Sequence, residues 1–436
     1  MPHDPTDPVV APLVGVGFGP AGIALSVCLS DEERQGLDVS FAPARDAVFF
    51  ERALDPVWQP GMLLPGTDIQ HHFLRDFATP RDPDSRFTFV KFLQEEDRFY
   101  PFTLRGGYVT REEWSKYCVW VAERTESRVH YGHEVGAIRP VTDDTGTLVA
   151  VDVDGRDTAT GATRTVRTRR VVLATGHEPF VPEVFQDLGP RVFHSTQFSR
   201  RWPELGDQAR RIVVVGGGQN AGEVLLHLYH STSAELVSVV RNSGMRLYDL
   251  GHFANQAYWP AETDYFHALG HDERQAIFAE QHRTNYAAVD PDVTTGLYNA
   301  WYDEHVRGTS RLTMLKRTEV TRAWTEGDEV HLELRDRYTG TVDKISVDLV
   351  ILGTGFREPA VPAALEPLAG HLTVESDGAL AVDRDFTTPL RDAADVRVYL
   401  NGMSERRHGI ASATSFSLMA HRAGEIVGSL RAAAGS

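Results

Sequence analysis

Cysteine is almost absent from this chain: its 436 residues hold two, Cys28 and Cys118, with no C-x-x-C spacing. That scarcity excludes a disulfide framework and a thiolate metal site, and it removes the redox pair a disulfide reductase needs beside its cofactor. Cys28 reads instead as a core residue of a helix. Long apolar runs are missing too, since none reaches the roughly 18 residues of a membrane-spanning helix. The opening Met1-Pro2-His3-Asp4 carries no basic stretch, so a cytoplasmic protein without a membrane partner is expected. Positive charge is in deficit, with 44 Lys and Arg against 61 Asp and Glu and a net charge of −17. A nucleic-acid partner needs a clustered basic surface and is therefore not expected. Internal repeats are lacking as well. The length exceeds what one core supports, which predicts two or three domains.

What the chain does have is two glycine fingerprints. The first, Val14-Gly15-Val16-Gly17-Phe18-Gly19-Pro20-Ala21-Gly22, follows an apolar run from Ala11. The second, Ile212-Val213-Val214-Val215-Gly216-Gly217-Gly218-Gln219-Asn220-Ala221, follows Arg210-Arg211. Each reads as a buried strand, a tight turn and the start of a helix, an arrangement that lets backbone N–H groups approach a pyrophosphate at a positive helix N-terminus. Gly15, Gly17 and Pro20 thus stand at one dinucleotide, and Gly216, Gly218, Gln219 and Asn220 at another. Two dinucleotides in one chain point to a flavin, FAD, reduced by a nicotinamide.

The surrounding segments fill in an α/β fold. Glu51, ending an interrupted second strand over 39–41 and 47–51, is the candidate acid for the adenosine ribose. It lies beyond the usual offset of ~20 residues, and a solvated Glu opening a loop would read the same way. After the second fingerprint a strand over 235–240 ends at Arg241, which with Arg246 favours a 2′-phosphate and so NADPH over NADH. A plain surface arginine is the alternative. The runs 171–176 and 349–355 are both apolar strands ending in Thr-Gly, which bring Gly176 and Gly355 close to a cofactor. Their pairing implies two Rossmann-like domains, the second inserted into the first, with a small, mainly helical substrate-binding region. Residues 1–10 are expected as a loose tail, 11–205 and 346–436 as a discontinuous FAD domain, and 206–345 as the NADPH domain, its substrate-contacting helices at about 250–310. Residues 58–86 lack periodicity but are rich in Pro, His and Arg, and so long a stretch without an element is more often functional than inert. A helix over 111–125 and strands near 148–153 and 165–174 follow.

Further ordered motifs stand beside the fingerprints. They are Phe50-Glu51-Arg52, Trp58-Gln59-Pro60-Gly61-Met62-Leu63-Leu64 and Ile69-Gln70-His71-His72-Phe73-Leu74-Arg75-Asp76. Then come Asp82-Pro83-Asp84-Ser85-Arg86-Phe87-Thr88-Phe89, Phe253-Ala254-Asn255-Gln256, Thr284-Asn285-Tyr286, Gly353-Thr354-Gly355-Phe356, and His408-Gly409 with the run from Ser417 to Glu425. Over nearly its whole length the chain resembles the flavin-dependent N-hydroxylating monooxygenases, the ornithine and lysine N-hydroxylases of siderophore pathways. The resemblance implies that NADPH reduces FAD, that O2 as co-substrate adds to the reduced ring, and that a C4a-hydroperoxyflavin then passes its distal oxygen to a substrate amine. The cofactor carries the hard step, while the protein holds the amine in place and keeps water out. No nucleophile, triad or metal site is then expected, and the adjacent His71-His72 are not spaced for a metal. A small amino acid is the implied partner and, that family being commonly oligomeric, a homo-oligomer the implied assembly.

The resemblance also implies roles, residue by residue. Gln70 lies near flavin and substrate, and Asn285 touches both nucleotide and substrate; these two are the catalytic candidates. Asn255 binds the backbone end of the amino acid, Ser417 lies near the amine, and Trp58 lies at the cofactor. Arg75 falls where the ornithine enzymes place a Lys for the substrate α-carboxylate. A guanidinium offers a planar fork suited to bidentate carboxylate binding, and it reaches further than Lys. Arg406-Arg407 precedes His408-Gly409, where a His and a small polar residue are usual, and Arg283 precedes the Thr284-Asn285-Tyr286 motif. Extra cations repel an aliphatic ammonium and suit a dicarboxylate. Arg75, Arg283 and Arg406 as substrate-binding residues therefore lead to L-aspartate as the expected substrate, oxidised to N-hydroxyaspartate and on to nitrosuccinate. One alternative is an L-ornithine or L-lysine side-chain N-hydroxylase, its arginines spent on salt bridges or on NADPH. Another is an NADPH-dependent flavoprotein reductase without oxygen transfer.

Overall fold

Each fingerprint opens a parallel sheet in the computed structural model, which describes residues 8–249, 251–412 and 415–435. The first sheet runs in the order Thr387–Thr388, Arg397–Leu400, Arg170–Leu173, Val14–Val16, Val48–Glu51, Arg128–Tyr131. All neighbours are parallel except the short edge strand Thr387–Thr388. Parallel strands are covered on both faces, which is why these read as unbroken apolar runs. The helix Pro20–Arg34 and the C-terminal helix Met419–Ala434 cover one face. An antiparallel sheet of His133–Thr142, Leu148–Asp157 and Thr163–Thr168 covers the other.

Several sequence expectations shift here. Of the tail over 1–10, residues 1–7 lie outside the described residues, while Val9–Val10 form a strand parallel to Thr163–Thr168, with Val9 opposite Val166. A β-branched pair extends an open edge readily. The segment 165–174 is two strands, one in the antiparallel and one in the parallel sheet, parting at Arg169. Residues 39–41 form a turn, with Asp38 Oδ1 accepting Ser40 N at 2.9 Å, so the second strand is Val48–Glu51 alone. The helix Arg111–Ala122 starts where Thr110 Oγ1 accepts Glu113 N at 3.2 Å, an N-cap.

The second sheet runs Val192–His194, Leu349–Leu352, Arg211–Val215, Glu235–Val240, Leu312–Lys316, all parallel. Helices Gln219–Ser231 and Pro291–Arg307 cover one face, and the meander Thr318–Glu326, Glu329–Asp336, Val342–Val347 covers the other. This unit therefore reaches beyond 206–345. Val192–His194 and Leu349–Leu352, placed by the sequence reading in the FAD domain, are strands of the second sheet. The two Thr-Gly runs look alike because they are equivalent strands, each beside the fingerprint strand of its own sheet. The chain crosses between the units twice, and the crossings pair: Glu178–Pro179 runs antiparallel to Phe356–Arg357.

Two segments frame the space between the units. The helices Ala254–Tyr258, Pro260–Ala268 and His271–Asn285 belong to the stretch expected as helical, whereas Pro291–Arg307 is part of the second sheet's packing. Residues 58–86 contain only the short helix Pro60–Met62 and the strand Asp68–His72, paired with Tyr108–Thr110. The buried Asp76 fastens this segment: its carboxylate accepts backbone N–H groups from Ala78, Thr79 and Phe89. Among the described residues no helix is long and apolar enough to cross a membrane.

Candidate active site

A cavity of about 1140 Å³ runs between the two units, along the C-terminal ends of the first sheet's strands. Its outer end is lined by Glu51, Arg52, His133 and Val135, and its middle by Gly17, Gly19, Pro20 and Ala21 at the N-terminus of helix Pro20–Arg34. Gly17 has φ +96°, and a Cβ there would stand 2.5 Å from the Ala174 carbonyl oxygen. Only glycine fits so close an approach of two backbones. Gly15 lies back in its strand, where the Phe49 ring fills the space a side chain would need. Glu51 is at the cavity, but its carboxylate also accepts Phe18 N at 2.6 Å and Ala53 N at 2.8 Å, bracing the glycine turn. Trp58 and Gly176 line the cavity as well.

The second fingerprint divides. Asn220 lines the cavity, Gly216 at φ +140° backs onto the Gly353 carbonyl, and Gly218 precedes the helix Gln219–Ser231. Gln219 turns inward instead, donating to Glu223 Oε1 at 2.9 Å and accepting Asp290 N at 2.8 Å. Gly355 sits in the paired crossing, where its carbonyl meets His194 Nε2 at 3.0 Å, not on the cavity wall. Arg241 and Arg246 are exposed on the second unit, beyond the strand Glu235–Val240.

At the inner end, Gln70, Arg75, Asn255, Asn285 and Ser417 converge from segments far apart in sequence. Arg75 Nη1 donates to Ser417 Oγ at 2.8 Å. Asn255 spends its side-chain N–H groups on the carbonyls of Asp249 and Gly251, at 3.2 and 3.1 Å, which leaves Oδ1 as an acceptor. Asn285 Oδ1 lies 3.2 Å from the Tyr258 hydroxyl, whose one proton goes to the Thr284 carbonyl at 2.7 Å, so the Asn285 amide stays available to the cavity. Gln70 sits at φ +61°, a strained conformation for a non-glycine residue, and such strain clusters at functional sites. It donates to Asp290 Oδ2 at 2.5 Å, and its N–H reaches Asp68 Oδ1 at 2.8 Å.

These contacts close a ring that spans both units. From Gln70 it passes through Asp290, Gln219 and Glu223 to Arg111 Nη2, 2.7 Å from Glu223, and returns through Arg111 Nε to the Asp68 carbonyl at 3.2 Å. Burial raises the Glu223 carboxyl to about 7 even against Arg111, and raises Asp68 and Asp290 as well. Sequence reasoning missed Arg111, Glu223, Tyr258 and Asp290. The available signals were slight: Glu223 lies four residues from Gln219 on one helix face, and Asp290 stands just before Pro291 at a helix start. His71 is packed edge-on against Trp114 and Phe416, and burial lowers it to about 4, which keeps it neutral.

Arg283 and Arg406, expected at the substrate, are not on the cavity wall. Arg283 is exposed in the last turn of helix His271–Asn285. Arg406 is exposed 3.8 Å from Asp377, while buried Arg407 meets Glu375 at 2.8 Å and Asp377 at 3.1 Å. Those carboxylates hold this arginine pair away from the pocket.

Behind the cavity wall lies a buried carboxyl pair. Tyr286 O–H donates to Glu405 Oε1 at 2.5 Å, and Glu405 N–H donates to Glu358 Oε2 at 3.2 Å. Burial, then the neighbouring Glu405, pushes Glu358 up to about 8; burial pushes Glu405 to about 7. Between the usual carboxyl range and those values the folded chain holds protons that the unfolded chain releases. Stability therefore falls as pH rises from about 4.5 to 8. Glu358→Gln is expected to flatten the loss of Tm between pH 5 and pH 8.5 in thermal melts. An equal loss in variant and wild type would remove Glu358 from this account.

The profile of the family described as L-lysine 6-monooxygenase/L-ornithine 5-monooxygenase matches residues 10–358. The chain is 33% identical over 432 residues to the L-ornithine N(5)-monooxygenase of Pseudomonas aeruginosa, covering 97% of this chain and 94% of that one. It superposes on the L-lysine 6-monooxygenase of Pseudomonas syringae with a TM-score of 0.87 at 36% identity, over 97% and 99% of the two chains. It superposes on the ornithine N-hydroxylase of Kutzneria sp. 744, solved with reduced FAD, NADP+ and L-ornithine, with a TM-score of 0.89 at 32% identity, over 97% and 99%.

Proposed function

Because the chain belongs to the L-lysine 6-monooxygenase/L-ornithine 5-monooxygenase family, we propose that it binds FAD and NADPH and hydroxylates the side-chain amine of a basic amino acid, L-ornithine or L-lysine, with O2 as co-substrate. The residues present suit both nucleotides. Gly17 leaves a cradle a Cβ would fill at the start of a 15-residue helix, and Gly216 does the same at the second unit. Bound FAD supplies the activation of O2 and the oxygen transfer, for which side chains have no substitute.

The charge at the inner end of the cavity carries the substrate reading. Arg75 faces it beside Ser417 and Asn285, and two carboxylates, Asp68 and Asp290, face it across Gln70. A zwitterionic backbone fits the first group: its carboxylate takes Arg75 and the Asn285 NH2, and its ammonium takes Asn255 Oδ1. A side-chain amine then lies toward the carboxylate side, where positive charge is favoured. L-Aspartate would bring a second carboxylate to that side. The further cations that would have answered it, Arg283 and Arg406, stand outside. The aspartate expectation treated sequence neighbours of pocket motifs as pocket residues, and without Arg283 and Arg406 on the wall it loses its support to the ornithine or lysine alternative.

The chain's own contribution is placement and exclusion of water. Gln70, held by Asp68 and Asp290, presents a fixed amide to the reacting end, and Trp58, His71 and Phe416 form an aromatic wall beside it. The test is NADPH oxidation and product mass with the FAD-loaded enzyme, offered ornithine, lysine and aspartate in parallel. Coupled formation of a hydroxylamine from ornithine or lysine, with none from aspartate, is expected. Coupled turnover of aspartate alone would overturn the proposal.

A further inference from the structure

Arg422 is 2% exposed and lies in the first turns of the C-terminal helix Met419–Ala434, and it lines the cavity. Its Nε donates to Asn401 Oδ1 and its Nη1 to the Ser412 carbonyl, both at 2.7 Å. Both acceptors are neutral. Among the described residues Nη2 has no hydrogen-bond partner and no carboxylate forms an ion pair with the guanidinium; burial alone lowers it, to about 10. The other deeply buried arginines differ. Arg111 faces Glu223, and Arg407 faces Glu375 and Asp377. A buried cation without a counter-charge is unfavourable, and a ligand that brings the missing charge relieves that cost.

The position of Arg422 narrows what that ligand charge is. Asn401, Gly402, Met419 and Arg422 line the same cavity as Glu51 and the helix N-terminus at Gly17 to Ala21. Asn401 Nδ2 donates to the Ala21 carbonyl at 2.9 Å, which sets Arg422 one step beyond the pyrophosphate cradle. Resting on the assignment of FAD to this cavity, Arg422 would stand beyond the pyrophosphate, at the ribityl and pyrimidine end of the flavin. Oxidised flavin is neutral there. Hydride transfer from NADPH puts two electrons and one proton on the ring, releases NADP+, and leaves one negative charge across N1 and the C2 carbonyl. The start of the 16-residue C-terminal helix adds positive potential at the same place. We propose that Arg422 is the counter-cation of the reduced flavin, a cofactor-positioning residue that favours the reduced anion over the oxidised ring.

The experiment compares FAD-loaded wild type, Arg422→Lys and Arg422→Gln, reading FAD affinity, midpoint potential and the pH at which the reduced flavin takes up its N1 proton. Arg422→Gln is expected to lose at least tenfold in affinity for reduced relative to oxidised flavin, a potential about 30 mV more negative for a two-electron couple. Arg422→Lys should retain most of the preference. Reduced wild type should stay anionic below the pH at which free reduced flavin becomes neutral, because a nearby cation favours the deprotonated form. Equal weakening of both redox states in Arg422→Gln would assign the guanidinium to the pyrophosphate and overturn the proposal. If Arg422→Gln fails to hold flavin, the wild-type titration decides, and protonation at the free-flavin pH overturns it. A wild type that binds no FAD would instead refute the cofactor assignment.

Discussion

Gly17→Val is expected to yield a folded chain that carries no flavin, its FAD affinity lowered by more than about 100-fold. Two independent obstacles meet at that residue. The backbone stands at φ +96°, where a β-branched side chain is strongly disfavoured, and the new Cβ would lie 2.5 Å from the Ala174 carbonyl. To relieve the clash, the turn must move away from the strand Arg170–Leu173 and out of the place where its N–H groups face the pyrophosphate. Flavin absorbance per mole of purified protein reads the outcome, and a thermal melt checks that the chain is folded. Gly428→Ala is the control, since a Cβ at that position of the C-terminal helix meets nothing within 4 Å and the residue does not line the cavity. A Gly17→Val protein that copurifies with stoichiometric flavin would remove the first fingerprint from the flavin site.

Arg75→Ala is expected to raise KM for the amino acid by about 100-fold, as the loss of a charge-assisted contact of 2–5 kcal/mol predicts. NADPH oxidation without amino acid should be nearly unchanged, because Arg75 stands with Ser417 in the pocket proposed for the substrate and belongs to neither fingerprint. Its partner Ser417 supports the same reading. The Ser417 hydroxyl fixes one guanidinium nitrogen and leaves the rest of the fork toward the cavity. Arg75→Lys should recover part of the lost affinity, since it restores charge but not the fork. Steady-state kinetics with varied amino acid suffices, and an unchanged KM would place the carboxylate elsewhere.

The sequence was most legible where backbone geometry alone sets the residue. Both glycine turns, the strands before them and the helices after them follow from steric rules that act within a few residues. The same holds for the likeness of 171–176 and 349–355, although it marks equivalent strands of two sheets, not a return to the first. Domain limits were less legible, because Val192–His194 and Leu349–Leu352 look like any buried parallel strand and nothing local says which sheet receives them. Side-chain direction was the least legible. Gln219 occupies a fingerprint position yet turns to Glu223 and Asp290, and Arg283 and Arg406 flank pocket motifs yet face outward. Arg422 and Glu358 gave no sequence signal, since the burial of an ionisable group is recognised only once its surroundings are known.

The paired crossing between the units constrains how the second can travel. Two separate tethers would let an inserted unit swing and twist freely, whereas here Glu178–Pro179 and Phe356–Arg357 are hydrogen-bonded side by side. A ribbon of two strands bends across its flat face far more easily than it shears within its plane. Any bending between the units at this ribbon would therefore be confined largely to one axis, and Gln70–Asp290 and Arg111–Glu223 are contacts such a motion would have to break.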